Sequence, residues 1–229
     1  MRFFITGTDT GCGKTAVTSA LLLALRARGH RAVGMKPIAA GVGVDGRNED
    51  VDALLAASSP GMPPASVNPC LFAAPTAPHI AAAREGRTVA WETLDAAYRD
   101  LVALADAVLV EGVGGWQIPL SNTLELSDLP RRWNLPVLMV VGVRLGALNH
   151  ALLTAESIAH SGCVMAGWFA NVIDPGYIFA DETIEALEQR LRAPCLARLT
   201  WHHEAPITRL AAGLTNAATA LEHWTERQE

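Results

Sequence analysis

The chain has 229 residues, half of them hydrophobic, and a formal net charge of −5. That is enough for one α/β domain with a large core, whereas the negative balance and the lack of a Lys/Arg cluster argue against a nucleic-acid face, which needs several basic groups together. Apolar stretches such as 105–110 and 136–143 are too short to span a bilayer, and Arg2 leads straight into a strand without a signal-peptide core, so a soluble, cytoplasmic protein is expected.

Strand candidates at 2–6, 31–36, 106–110, 136–142, 164–170 and 196–199 alternate with helix candidates at 14–28, 49–57, 91–104, 147–161, 178–192 and 207–223. The helical segments place apolar residues three and four apart, as at Ile184, Leu187 and Leu191. This alternation predicts a single α/β domain, a doubly wound, mainly parallel sheet flanked by helices. The stretch from Ser58 to Pro78 is rich in Pro, Ala and Ser, reads as irregular and exceeds an ordinary connector.

In such sheets ligands bind beyond the carboxyl ends of the strands. The first strand runs into Gly7-Thr8-Asp9-Thr10-Gly11-Cys12-Gly13-Lys14-Thr15, the order of a phosphate-binding loop. Gly7, Gly11 and Gly13 let backbone N–H groups approach an anion, Lys14 adds a point charge and Thr15 a hydroxyl for Mg²⁺. The helix that follows points its N-terminus at the same anion. Five residues rather than the usual four separate Gly7 from Gly13.

The second strand ends in Gly34-Met35-Lys36-Pro37, where Pro37 stops the strand and Lys36 supplies a second cation beside a transferring phosphoryl group. Asn48-Glu49-Asp50-Val51-Asp52 opens the next helix. Capping and the helix dipole account for some of these acids, and a remaining carboxylate, Asp50 or Asp52, can join a Mg²⁺ shell. The third strand closes on Glu111-Gly112-Val113-Gly114-Gly115-Trp116. An acid ending a buried strand fits a metal-binding carboxylate, and the glycines let substrate approach the backbone. Trp116 reads as packing. Cys12, Cys70, Cys163 and Cys195 contain no C-x-x-C pair, so neither zinc nor a disulfide framework is expected. Cys12, beside a helix N-terminus and Lys14, is the thiol whose reactivity would be of interest.

Taken together these residues resemble the dethiobiotin synthetase family, in its P-loop NTPase-like setting. The family loop reads Gly-Thr-Asp-Thr-x-x-Gly-Lys-Thr with the same widened spacing. Further matches are Lys-Pro-x-x-x-Gly at Lys36 to Gly41, Glu-Gly-x-Gly-Gly-Trp-x-x-Pro-Leu at Glu111 to Leu120, Val67-Asn68-Pro69, Pro75-Thr76-x-Pro78-His79 and Leu145-Gly146-x-x-Asn149-His150. The match runs from residue 3 to about 173.

The resemblance implies ATP- and Mg²⁺-dependent ring closure of 7,8-diaminononanoate with CO₂, through a carbamate and a carbamic-phosphoric anhydride, by a homodimer that binds neither nucleic acid nor membrane. It implies that Lys14 and Lys36 stabilise the carbamate and the transferring phosphoryl, and that Thr15, Asp50 and Glu111 hold Mg²⁺, selecting Asp50 over Asp52. Gly11, Cys12, Gly13, Ala16, Gly112, Val113 and Gly114 would surround the nucleotide. Thr10, Ala40 and Gly114 would border the diamine, and Asn149 would reach the substrate carboxylate across a dimer interface. His79 and His150 are assigned structural roles.

Asn171 matches the family's base-binding asparagine, while Thr200-Trp201-His202 stand where a Pro-Trp-Leu-like cover is usual. Strict preference for ATP is therefore open. Ala40 stands where a hydroxyl residue is common. Two rivals share the loop. A cobyrinate-type amide ligase normally carries a glutaminase domain, not recognisable here. A positioning or partitioning ATPase of the MinD/ParA kind carries a second, upstream loop lysine, and residues 7–13 contain none.

Overall fold

The computed structural model describes residues 1–200 and 207–228. Among these residues eight strands lie at Arg2–Gly7 (β1), Ala32–Met35 (β2), Ile38–Ala40 (β3), Cys70–Phe72 (β4), Ala107–Glu111 (β5), Val137–Val143 (β6), Met165–Val172 (β7) and Cys195–Leu199 (β8). The helices are Lys14–Ala27 (α1), Glu49–Ala57 (α2), Pro64–Val67 (α3), Pro78–Arg84 (α4), Trp91–Leu104 (α5), Asp128–Arg132 (α6), Ala147–His160 (α7), Ala180–Glu188 (α8), Ile207–Gly213 (α9) and Thr215–Glu226 (α10).

Six strands form one sheet in the order β2-β5-β1-β6-β7-β8, and every pairing within it is parallel. Successive side chains of a strand point to opposite faces, and here both faces are apolar. Phe3 and Ile5 pack with Leu21, Leu25, Leu214 and Leu221 of the α1/α9/α10 side, while Phe4 packs with Leu101, Trp116 and Leu129 on the other. The same split separates Leu138 and Val140 from Val137, Met139 and Val141. A sheet buried on both sides needs this uninterrupted hydrophobic patterning. The strand order reverses at β1, between β5 and β6, and it is there that loops from the carboxyl ends diverge to leave a crevice.

Three elements differ from the sequence expectation. The segment 58–78 contains α3 and β4, and β4 pairs in parallel with β3 as a small second sheet. Runs this short lie below what periodicity resolves. Pro37 ends β2 as expected, yet the chain resumes as β3 one residue later. The helix expected over 207–223 is two helices, α9 and α10, broken where Gly213 is followed by the fully buried Leu214. The short helices α4 and α6 fall within stretches not assigned from sequence.

Helix α10 is fastened to the end of α1. Glu222 accepts from Arg28 Nε at 2.8 Å and lies 2.8 Å from His30 Nε2. Hydrogen bonds from Arg28, and then from His30, hold the Glu222 carboxyl at about 2 against an ordinary 4.5. A depressed carboxyl pKa contributes stability that is complete above the unfolded value and fades as pH falls toward the folded one. Glu222→Gln is therefore expected to cost roughly 1 kcal/mol at pH 6, given solvent screening of a surface pair. The deficit should close as pH falls from about 4.5 toward 2. Urea midpoints of both proteins measured across that range check it; a deficit independent of pH would remove the charge from the explanation.

Candidate active site

The phosphate-binding loop joins β1 to α1. Helix α1 has Gly13 at its N-cap in the left-handed region, no side-chain cap and no acid in its first turn. Its first N–H groups, unsatisfied within the helix, therefore face the loop with no acid of the helix's own first turn to compete for them. Gly13 has a second reason to lack a side chain, since a Cβ there would lie 2.1 Å from Asn171 Nδ2. At Gly7 a Cβ would come within 2.3 Å of Cys12 Sγ.

Beneath the loop lies a buried polar cluster. Lys36 Nζ donates to Glu111 Oε1 at 2.6 Å and to Asp50 Oδ2 at 2.8 Å. The Thr15 hydroxyl lies 2.7 Å from Glu111 Oε1 and 2.8 Å from Asp50 Oδ1. Glu111 is fully buried and Lys36 is 2% exposed, so each charge depends on the other. Burial alone would lower the Lys36 pKa, but the adjacent Glu111 and Asp50 carboxylates overcome it and hold it above the ordinary lysine value. Burial opposes ionisation of Asp50 too, and Lys36 and the Thr15 hydroxyl outweigh it, keeping that carboxyl below its usual range. Glu111 Oε2 is buried without a hydrogen-bond partner among the described residues.

Each member is placed by a different element: Lys36 just after β2, Asp50 in the first turn of α2, Glu111 as the last residue of β5 and Thr15 in the first turn of α1. Asn48 caps α2, its side chain accepting from Val51 N at 3.1 Å, and Asp50 is thereby left to face Lys36 while Asp52 pairs with Arg47 at 2.9 Å. The geometry thus separates the two acids that sequence spacing alone left open. Asn68 fixes Lys36 from behind, its Nδ2 donating to the Lys36 carbonyl at 2.6 Å, and Lys36 N–H donates to Val67 O at 2.8 Å. This positioning by Val67 and Asn68 was not assigned from sequence, although both lie in a motif quoted above.

A cleft of about 740 Å³ opens over the cluster. Thr10, Gly11, Gly13, Lys14, Thr15 and Ala16 line it on the loop side, with Lys36, Asp50 and Ala40 on the floor. Val113, Gly114 and Ile118 close one wall, and Pro75 to Pro78 close the other. Ile118 was not singled out, since an apolar side chain carries no chemical signal in sequence, and the Pro75–Pro78 wall was visible only as a motif with no contact assigned to it. Lys14 Nζ donates to the Asp9 carbonyl at 2.9 Å. Gly112 sits deeper, its N–H donating to Ile5 O at 2.9 Å, and Trp116 is buried edge-on to Phe4.

The P-loop architecture now has named counterparts. The AAA domain family matches residues 1–206. ATP-dependent dethiobiotin synthetase of Xanthomonas euvesicatoria pv. vesicatoria is 52% identical over 215 residues, covering 93% of this chain and 96% of that one. The protein of the same name from Xanthomonas oryzae pv. oryzae is 51% identical with the same coverage. The chain belongs to the dethiobiotin synthetase family. Among solved structures, the septum site-determining protein MinD complexed with Mg-ADP from Pyrococcus horikoshii superposes with a TM-score of 0.56 at 15% identity, covering 100% of this chain and 99% of that one. The MinC:MinD complex of Aquifex aeolicus gives 0.59 at 15% identity, covering 97% and 96%. At that identity the likeness is one of fold.

The remaining residues expected from the dethiobiotin synthetase pattern lie at different distances from the cleft. Cys12 is buried behind the loop, and its carbonyl accepts from Asn171 Nδ2 at 2.9 Å. Asn171 thus bonds to the loop backbone, leaving its second N–H and its carbonyl oxygen for other partners. Thr200 is exposed just past β8, while Trp201 and His202 lie outside the described residues. Asn149 is exposed on the first turn of α7 and does not line this chain's cleft. His150 is exposed one residue on, and His79 Nδ1 lies 3.2 Å from the Pro119 carbonyl oxygen.

Proposed function

We propose that this chain catalyses the ATP-dependent closure of 7,8-diaminononanoate and CO₂ to dethiobiotin. The observation that carries the reading is the Lys36 ammonium, buried between Asp50 and Glu111 on the floor of a cleft whose wall is a phosphate-binding loop. A cation so placed, with Lys14 and the N-terminus of α1 on the other side, suits a reaction in which negative charge develops on a transferred phosphoryl group.

In this reading one substrate amine adds to CO₂, losing a proton and giving a carbamate. A carbamate oxygen attacks the γ-phosphorus of ATP, ADP leaves, and the second amine then attacks the carbonyl carbon. Phosphate departs and the second amine gives up its proton. Lys36 and Lys14 hold the carbamate and γ-phosphate anions in contact, and Gly114 together with Thr10 keeps the diamine against the cleft wall.

The donor set also fits Mg²⁺. The Thr15 hydroxyl, Asp50 Oδ1 and the Glu111 carboxylate converge, all are hard oxygen ligands, and Glu111 Oε2 is a buried oxygen with no hydrogen-bond partner among the described residues. Among the described residues no group of three or more His, Cys, Asp or Glu could hold a metal by itself, so phosphate oxygens and water would complete the shell. Bound there, Mg²⁺ would neutralise charge on the phosphate oxygens.

Purified protein supplied with 7,8-diaminononanoate, bicarbonate, Mg²⁺ and nucleotide tests the proposal. Dethiobiotin should appear with ATP and vanish in Lys14→Ala. CTP and GTP in parallel report whether Thr200 and His202 relax base choice. No product with any nucleotide from folded protein would return the chain to the amide-ligase or positioning-ATPase readings. Ala40→Ser supplies the hydroxyl common in the family and is expected to lower KM for the diamine by about fivefold, one net hydrogen bond of about 1 kcal/mol, with kcat within about twofold. An unchanged KM in steady-state assays would show that the substrate does not reach this residue.

Homodimerisation is part of the same proposal. Leu145, Leu148, Leu153, Ile178 and Phe179 are exposed, and they sit on or beside α7 and α8, which pack together. Asn149 lies among the first three in sequence. Exposed large apolar side chains on neighbouring elements are what an interface of this kind would cover. Light scattering is expected to give a dimer, and Leu145→Asp/Leu153→Asp to dissociate it and depress turnover; a monomeric wild type with full activity would rule out a shared site. The absence among the described residues of any helix long and apolar enough to cross a membrane, and four free thiols, suit the cytoplasmic location proposed.

A further inference from the structure

The phosphate-binding loop is one residue longer than the common form, and the chain secures the extra length on β6. Thr8 N–H donates to Val140 O at 3.0 Å, and the Thr8 hydroxyl accepts from Gly142 N–H at 3.3 Å. Arg144, the first residue past β6, then reaches back, its Nη2 lying 2.9 Å from Asp9 Oδ2. The other carboxylate oxygen of Asp9 accepts from Thr10 N–H at 2.7 Å. That N–H belongs to the same rigid peptide unit as the Asp9 carbonyl, which accepts from Lys14 Nζ at 2.9 Å. One peptide plane is therefore held at both ends, by the Asp9 side chain on its N–H and by the loop lysine on its C=O. The Asp9 carboxylate also adjoins a site built for a polyanion, since the next residue, Thr10, lines the cleft, and Arg144 is the carboxylate's counter-ion.

We propose that Arg144 is a positioning residue for the phosphate-binding loop: through Asp9 it fixes the 9–10 peptide that aims Lys14, and it cancels a carboxylate that would otherwise repel nucleotide. This deepens the function proposed above and rests on nucleotide binding at that loop. Both side chains are nearly half exposed, 44% for Arg144 and 48% for Asp9, so the effect is moderate. Arg144→Gln is expected to weaken binding of a fluorescent ATP analogue and raise KM for ATP by about fivefold, the equivalent of an exposed ion pair of about 1 kcal/mol. kcat should change by less than about twofold, and the thermal midpoint should not move.

Arg144→Lys should recover most of the loss, because a lysine can still neutralise Asp9. The decisive comparison is a double-mutant cycle. In an Asp9→Asn background, Arg144→Gln should add less than about twofold, since its target charge is gone. An equal loss in both backgrounds would mean that Arg144 acts on the nucleotide directly, and an unchanged affinity in Arg144→Gln would mean that it does nothing; either overturns the inference. A wild-type chain that binds the analogue but makes no dethiobiotin would sink the proposed reaction while leaving the cycle readable, and one that binds no nucleotide would sink both.

Discussion

Lys36→Met is expected to abolish turnover, by at least about 10³-fold, and to destabilise the fold by about 3 kcal/mol. The stability loss follows from what remains. Lys36 Nζ lies 2.6 Å from Glu111 and 2.8 Å from Asp50, and Glu111 has no exposed surface. Without the ammonium, Glu111 Oε1 keeps the Thr15 hydroxyl at 2.7 Å, while Oε2 has no partner among the described residues. A buried carboxylate stripped of its cation is among the few single changes that cost several kcal/mol. Asp50 suffers less because its side chain is 45% exposed and water can replace the lost partner. The activity loss has a separate cause, removal of a fixed positive charge from the place where phosphoryl negative charge develops.

The two effects separate in Lys36→Met/Glu111→Gln, which removes both charges. That variant should regain about 2 kcal/mol of the lost stability. It should regain none of the activity. Urea unfolding and steady-state rates on the three proteins measure this. A Lys36→Met protein as stable as wild type, or one turning over within tenfold of it, would make Lys36 an ordinary strand-end lysine.

The sheet was legible because parallel strands buried on both faces leave continuous apolar runs, and 3–5, 107–110 and 137–141 are such runs within the strands expected at 2–6, 106–110 and 136–142. Legibility failed where context outvotes local pattern. β3 and β4 are three residues each and exist only because they pair with one another. Nothing in Ile38-Ala39-Ala40 announces that partner. The split between α9 and α10 follows from burial of Leu214, a tertiary demand on a segment whose alanines suit one continuous helix.

The site shows the same division. Lys36 and Glu111 were legible because charged residues at the carboxyl ends of apolar strands have few structural reasons to be there, and Lys14 and Thr15 because they close a glycine-rich loop ahead of a helix. Asp50 and Asp52 were not distinguishable by residue type, only by which way α2 presents them. Asn68 was visible as a motif member without a role, because its role is to hold a backbone carbonyl. Arg144 carried no signal at all, since an arginine after a strand is common and its partner lies far back in the chain. Asn171 was legible only through the family resemblance, and its bond to the Cys12 carbonyl needs the fold that brings β7 behind the loop.

That bond makes Gly13→Ala the second change with a large expected effect. Gly13 has φ +92°, and a Cβ would meet Asn171 Nδ2 at 2.1 Å. An alanine in the left-handed region costs about 1–2 kcal/mol, and driving Asn171 from the Cys12 carbonyl removes a hydrogen bond worth about 1 kcal/mol more. Displacement of the N-cap of α1 by even part of an ångström also misaligns the N–H groups that would receive phosphate, so kcat/KM for ATP should fall by about 100-fold or more. Gly11→Ala is the control, because Gly11 is also left-handed, at φ +75°, but has nothing within 4 Å of its missing Cβ. It should show the backbone cost without the collision. Gly13→Ala/Asn171→Gly removes the collision and keeps the strain, so its thermal midpoint should recover toward the Gly11→Ala level. If Gly13→Ala is no less stable than Gly11→Ala, the contact with Asn171 contributes little to the loop, and that side chain is left to the base-recognition role the family resemblance implies.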